Sequence, residues 1–243
     1  MKKIGLGIII LYSAAIALAD VVIVPFEADF TKMDPQTNAA VFTVLPHADI
    51  TLTSTSTGLT ATTTSKQSFA IAVDTSGASL DAKGFTIEAT FFGNQASQHQ
   101  MRLFALGDNL TVNGGSVGYQ ARLTKDILYI LNGATEVAQF TWDGGAAIRK
   151  TTQFDLSLTG TYDASGSLTL SFTAKCGELS ETLVWTDTNP ATPTGDYFGV
   201  SGRFFNTDED LTISGFSVVP EPSSVTLLLF SSTASLFIRR AMR

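Results

Sequence analysis

The chain has 243 residues, a formal net charge of −7, 15% charged residues and one cysteine. No long basic patch is present to follow a phosphate backbone, which argues against nucleic acid as a partner. One cysteine, Cys176, excludes an intramolecular disulfide, so the fold rests on its core; with only His47 and His99 beside it, a zinc site of imidazoles and thiolates is disfavoured.

The chain opens on Lys2 and Lys3, followed by an apolar run over 4–17 and then Ala17-Leu18-Ala19, small at the two positions that signal peptidase reads. This spacing predicts a signal peptide over 1–19, cut before Asp20 by signal peptidase. An uncleaved anchor helix is the competing reading, and the shortness of the run speaks against it.

Between the ends, short β-branched or alternating runs recur, separated by Gly, Asn and Asp, and no amphipathic helix stands out. Over 51–65, eleven of the fifteen residues carry hydroxyls. That run reads either as a glycosylated or matrix-contacting patch or, as threonine's strand preference favours, as two edge strands joined at Gly58. Strands are predicted over 84–92 (with Phe85, Ile87, Ala89 and Phe91 on one face), 100–106, 118–123, 127–131, 136–142, 153–159, 167–174, 181–185, 197–204 and 210–218. Asn132-Gly133 and Asp163-Ala164-Ser165-Gly166 read as hairpin turns, and Asp143-Gly144-Gly145 closes another strand. Such spacing predicts an all-β fold, a two-sheet antiparallel β-sandwich occupying 20–218 as one domain. Cys176, in a strand, reads as a small buried hydrophobe.

Three of these runs resemble laminin-G-like and concanavalin-A-like domains. Gly84-Phe85-Thr86-Ile87-Glu88-Ala89 looks like their early strand. Tyr119-Gln120-Ala121-Arg122 followed by Leu128-Tyr129-Ile130-Leu131-Asn132-Gly133 looks like their central hairpins, and Leu211-Thr212-Ile213-Ser214-Gly215-Phe216 like their closing strand. The resemblance, clearest from residue 66, implies a jelly roll of the kind used for carbohydrate recognition and adhesion.

Chemistry is sparsely signposted. Glycan-cleaving enzymes need paired carboxylates, but Glu88 has no acidic partner two residues away and Glu178 and Glu181 are spaced to opposite faces of a strand. His47 and His99 sit in polar segments with no Gly-x-Ser-x-Gly nearby, and His99, at the end of Asn94-Gln95-Ala96-Ser97-Gln98, reads as an exposed loop residue. Asp208-Glu209-Asp210 reads as a solvated turn. Its sharper reading is a calcium site built from Asn206, Asp208 and Asp210 with Asp108; otherwise no cofactor is expected. Tyr119, Tyr129, Trp142, Trp185 and Tyr197 are the candidates for stacking on sugar rings.

The chain ends on Val219-Pro220-Glu221-Pro222-Ser223-Ser224, an apolar stretch over 225–238, and Arg239, Arg240 and Arg243. The prolines stop the preceding strand, and the arginines hold the end of an apolar helix on the cytoplasmic side. A 14-residue helix of about 21 Å is short for a hydrocarbon core of about 30 Å. It suits a temporary tether better than a permanent anchor. The order Pro220-Glu221-Pro222, apolar helix, Arg239-Arg240 resembles the PEP-CTERM sorting signal of Gram-negative bacteria, with a helix richer in Ser and Thr than usual. The resemblance implies recognition and cleavage by an exosortase, then release or transfer to the outer surface. The expected protein is therefore exported, briefly membrane-anchored, and placed at the cell surface or in exopolysaccharide or biofilm matrix, where it binds glycan or serves as structure without being an enzyme. The competing reading is a diverged polysaccharide hydrolase or lyase on the same fold.

Overall fold

The structure, a computed structural model, describes residues 26–75, 84–93, 99–111, 118–143, 152–190 and 195–220. The signal segment 1–19, Gly144 and Gly145, Glu221, Pro222, the apolar stretch 225–238, Arg239 and Arg240 lie outside them. Among the described residues no helix is long and apolar enough to cross a membrane.

Fifteen strands follow in chain order: β1 (Phe26–Asp29), β2 (Phe42–Pro46), β3 (Ile50–Thr55), β4 (Gly58–Thr63), β5 (Ser68–Asp74), β6 (Phe85–Gly93), β7 (His99–Gly107), β8 (Tyr119–Thr124), β9 (Ile127–Asn132), β10 (Thr135–Thr141), β11 (Gln153–Tyr162), β12 (Leu168–Cys176), β13 (Leu179–Asp187), β14 (Tyr197–Phe204) and β15 (Glu209–Pro220). They form two antiparallel sheets. An eight-stranded sheet has the order β13-β12-β11-β6-β15-β4-β3, with β1 also paired to β15, and a seven-stranded sheet has the order β10-β9-β8-β7-β14-β5-β2. The chain meanders through β7–β10 and β11–β13. It also crosses between sheets, so β14 inserts between β7 and β5, and β15 between β6 and β4.

Period-two patterning decides which side chains meet. Phe85, Ile87, Ala89 and Phe91 point inward from β6, as their alternation predicts, and pack with Phe154, Leu156 and Leu158 of β11 against Met101, Leu103 and Ala105 of β7. Phe85 touches Phe198 of the opposite sheet edge to face, centroids 5.4 Å apart. Near the start of the domain Phe26, Phe30, Phe42 and Phe216 form a ring cluster with centroid separations of 5.6–6.3 Å, tying β1 and β2 to β15. Cys176 is buried, as expected of a small hydrophobe.

Two predicted turns form as read. Gly133 takes φ 59° between β9 and β10, and Gly166 takes φ 86° between β11 and β12, conformations that cost glycine little. In the second turn Asp163 Oδ1 accepts from the Ser165 and Ser167 amides at 2.8 and 2.9 Å. The hydroxyl-rich run becomes the β3–β4 hairpin joined near Gly58, but β4 is no edge: its other side pairs with β15. On that sheet's outer face threonines pair with one another, Thr60 with Thr212 at 2.8 Å and Thr86 with Thr159 at 3.0 Å. Glu178 sits in the turn after β12 and only Glu181 lies in β13, so the two never share a strand.

At one end Tyr119, buried, donates its hydroxyl to Asp187 Oδ2 at 2.9 Å, and Asn132 donates to the same oxygen at 3.3 Å, latching β8 and β9 to the end of β13. Burial and the Asp187 carboxylate push the Tyr119 phenol well above its ordinary value. The folded state thus holds the proton more tightly than the unfolded chain. The contribution is complete below about pH 10 and is lost as pH rises past it. Tyr119→Phe is expected to cost about 1–2 kcal/mol in urea unfolding at pH 7, and the gap between variant and parent should close above about pH 10.

Candidate functional site

The outer face of the seven-stranded sheet gathers side chains that the core does not need. In β7, Met101, Leu103 and Ala105 point inward, leaving Gln100, Arg102 and Phe104 outward; in β8, Tyr119, Ala121 and Leu123 point inward, leaving Gln120, Arg122 and Thr124 outward. Register then aligns four strands: Tyr129 of β9 lies opposite Arg122, Arg122 opposite Arg102, and Arg102 opposite Ser201 of β14. At about 4.8 Å per strand, this row of four residues is about 14 Å long. Arg203 lies two pairs further along β14, on the same face and opposite Gln100.

The Arg122 guanidinium sits 4.0 Å from the centroid of the Tyr129 ring and forms an ion pair with Glu136. Arg102 donates Nε to Gln100 Oε1 at 2.8 Å, and Gln100 in turn donates to Thr124 Oγ1 at 3.0 Å. Arg102 is only 8% exposed. Burial, followed by the positive charges of Arg122 and Arg203, pulls its pKa down to about 10. Ser201 is 1% exposed, and its Oγ, like Arg122 Nε, is buried without a hydrogen-bond partner among the described residues. Beside the row, Ala70, Ala72 and Phe104 form a second apolar cluster under Leu110 and Tyr197. Chemically this is an array of planar donors with one aromatic face, suited to hydroxyls and anions.

The outer face of the eight-stranded sheet carries a groove lined by Glu27, Asp29, Glu88, Asp155 and Lys175. Pairing places Glu27 and Glu88 on either side of Ser217, two strand spacings or about 10 Å apart. Hydrogen bonds from Lys32 and Thr31 hold the exposed Asp29 carboxyl at about 2. It stays an anion and cannot serve as a proton donor near neutrality.

The five candidate stacking aromatics divide by parity. Tyr119 and Trp142 are buried and offer no free ring face, and Trp185 is half-buried against the core; Tyr129 and Tyr197 face outward, and Arg122 covers one face of Tyr129. His99 corrects the sequence reading. It is the first residue of β7, 0% exposed, and packs edge to face on Phe204 at 5.5 Å, because β7 begins one residue earlier than its polar flank suggests. Asp108 does not join the proposed calcium set. Asp108 follows the end of β7 paired with Tyr197, whereas Asn206, Asp208 and Asp210 follow Phe204 at the other end of β14, about 23 Å away. Among the described residues no three His, Cys, Asp or Glu side chains converge to hold a metal. The sorting residues Glu221, Pro222, Arg239 and Arg240 lie outside the described chain, and Pro220 is the last residue of β15, paired with Phe85.

No family model and no curated protein matches the chain. Solved structures do. The carbohydrate recognition domain of Emp46p, in its metal-free form, matches at 12% identity with a TM-score of 0.54, covering 81% of this chain and 96% of that one. The seed lectin of Lotus tetragonolobus matches at 10% identity and 0.52, covering 80% and 97%. The exoplasmic/lumenal domain of VIP36, in a Ca2+/Man2-bound form, matches at 13% identity and 0.54, covering 81% and 87%. At such identities the likeness establishes the fold alone, a two-sheet antiparallel jelly roll shared with these structures.

Proposed function

We propose that this is an exported cell-surface or matrix protein whose sandwich binds glycan without cleaving it, and whose tail at Pro220-Glu221-Pro222 is removed by an exosortase after signal peptidase has acted at the other end. The observation that carries the binding half is the row Tyr129, Arg122, Arg102 and Ser201. Four adjacent strands spend outward positions on polar groups, two of which hold hydrogen-bonding atoms without partners among the described residues. Structural neighbours named as a carbohydrate recognition domain and as Man2-bound support a glycan as the occupant. The order of proline motif, apolar stretch and arginines supports the routing.

Some neighbours are calcium- or potassium-bound forms; among the described residues here no three His, Cys, Asp or Glu side chains converge. Because the row just described is built of side chains, binding is expected to rest on them. The protein passed over immobilised polysaccharides, neutral and acidic, should be retained by at least one, unchanged by EDTA, with no reducing ends released. Sugar release that disappears in Glu88→Gln would replace this reading with the hydrolase or lyase one, because Glu88 lines the same groove as Glu27 and Asp155. Retention lost on chelation would move the site to a metal-bearing loop.

A further inference from the structure

We infer that the row on the seven-stranded sheet reads the carboxylate of an acidic polysaccharide, a chain of uronic acid residues; this rests on the glycan-binding reading above. The outward positions of β7, β8 and β14 carry Arg102, Arg122 and Arg203 and no carboxylate, in a chain whose net charge is −7. Arg102 and Arg122 are directly opposite one another on neighbouring strands near the middle of the sheet, an arrangement of like charges that weakens a sheet. Folding gains nothing from it. Glu136 and the Tyr129 ring engage Arg122 from one side.

The unsatisfied atoms point the same way. Arg122 Nε and Ser201 Oγ flank Arg102 in the row, both buried and both without a hydrogen-bond partner among the described residues. A buried polar atom left unpaired is costly and uncommon, and two of them stand on either side of the Arg102 guanidinium, which itself donates to Gln100. A guanidinium is flat and presents paired N–H groups that match the two oxygens of a carboxylate. Ser201 adds a hydroxyl that can accept from, or donate to, a ring hydroxyl. Arg203 is exposed and Arg122 and Tyr129 are partly exposed, so the ligand arrives over these three; Arg102 and Ser201, 8% and 1% exposed, are reached only as the groups above them give way. Stacking, the usual mode for neutral sugars, has one face of Tyr129 fewer to use, because Arg122 covers it. Charge is the stronger selector in this row.

The test uses one polymer in two states: polygalacturonate and its fully methyl-esterified form, which keeps the sugar and removes the charge. The protein should bind the acid form about tenfold or more tightly than the ester, and Arg203→Gln and Arg122→Gln should each weaken the acid form by about tenfold. Ser201→Ala should weaken it too while leaving the thermal midpoint unchanged or raised, since it deletes a buried hydroxyl that has no partner. A purely structural serine would instead lower the midpoint and spare binding. Equal binding of acid and ester forms overturns the inference and keeps the glycan reading, whereas failure of every neutral and acidic polysaccharide to bind overturns both. Equally tight binding of dextran sulfate or duplex DNA would reduce the site to a general attraction for polyanions and overturn the claim for a carboxylate. Should Arg122→Gln fail to fold, Arg203→Gln at an exposed position and Ser201→Ala carry the test by themselves.

Discussion

Phe85→Ala is expected to destabilise the domain by about 3–5 kcal/mol, lowering its melting midpoint by roughly 6–20 °C at about 2–4 °C per kcal/mol for a domain of this size. Phe85 is fully buried at the first position of β6, opposite Gly160 of β11 on one side and Pro220 of β15 on the other, and its ring meets Phe198 across the sandwich. Gly160 is part of the same arrangement. A Cβ added there would come within 2.5 Å of Phe85 Cζ and 2.6 Å of Cε1, so glycine leaves the space that the ring fills. Gly160→Val should therefore overpack the site and cost about 1–3 kcal/mol. In the double variant the valine enters the volume vacated by the ring, and the loss should fall short of the sum of the two by about 0.5–3 kcal/mol. Urea unfolding of the four proteins measures that coupling directly. Strict additivity would mean that Gly160 is needed for its backbone and not for the ring.

The same contrast between near and far shows what the sequence can reveal. Alternation in Phe85, Ile87, Ala89 and Phe91 is enough to orient β6, and the bounds of β14 follow from its flanking turns, because these are properties of one strand at a time. β5 escapes the reading. Ser68-Phe69-Ala70-Ile71-Ala72-Val73 is buried on both faces, the inner by Phe69, Ile71 and Val73 against the core and the outer by Ala70 and Ala72 under Phe104, so no polar face marks its period. β1 and β2 are short and owe their place to the Phe26, Phe30, Phe42 and Phe216 rings, a contact that spans nearly the whole chain.

For the candidate site, parity was available and register was not. The inward Leu128 and Ile130 require Tyr129 to face outward, and the inward Tyr119 and Ala121 require the same of Gln120 and Arg122, a signal sufficient to remove Tyr119 from the stacking candidates. That Arg102 should stand between Arg122 and Ser201 depends on the register of β7 with its successor β8 and with the distant β14, which no single strand's period encodes. His99 failed for the opposite reason. Its polar neighbours outweighed the edge-to-face contact with Phe204, and that contact is formed only once β7 and β14 pair.

On the proposed routing, replacing Pro220, Glu221 and Pro222 together by alanine should nearly abolish processing, leaving the intact chain in the membrane fraction of its native host. Mass spectrometry of the C-terminus reads the outcome: the parent should end at or near the motif, and the variant should keep Arg239 and Arg240. The fold makes this test clean. Pairing of β15 runs through Pro220, opposite Phe85, and a residue at the end of a strand contributes little to the ladder before it, so the variant sandwich should keep its melting midpoint. Loss of processing can then be assigned to recognition. The same geometry sets a further demand on the protease, since the motif begins where the sheet ends and any enzyme acting there must work against the folded domain. A short Gly-Ser insertion between Val219 and Pro220 should therefore speed cleavage if that approach limits the rate. A triple-alanine variant released as fully as the parent would show that the motif is not what the protease reads, and a parent chain found intact in the membrane would make the apolar stretch over 225–238 a plain anchor.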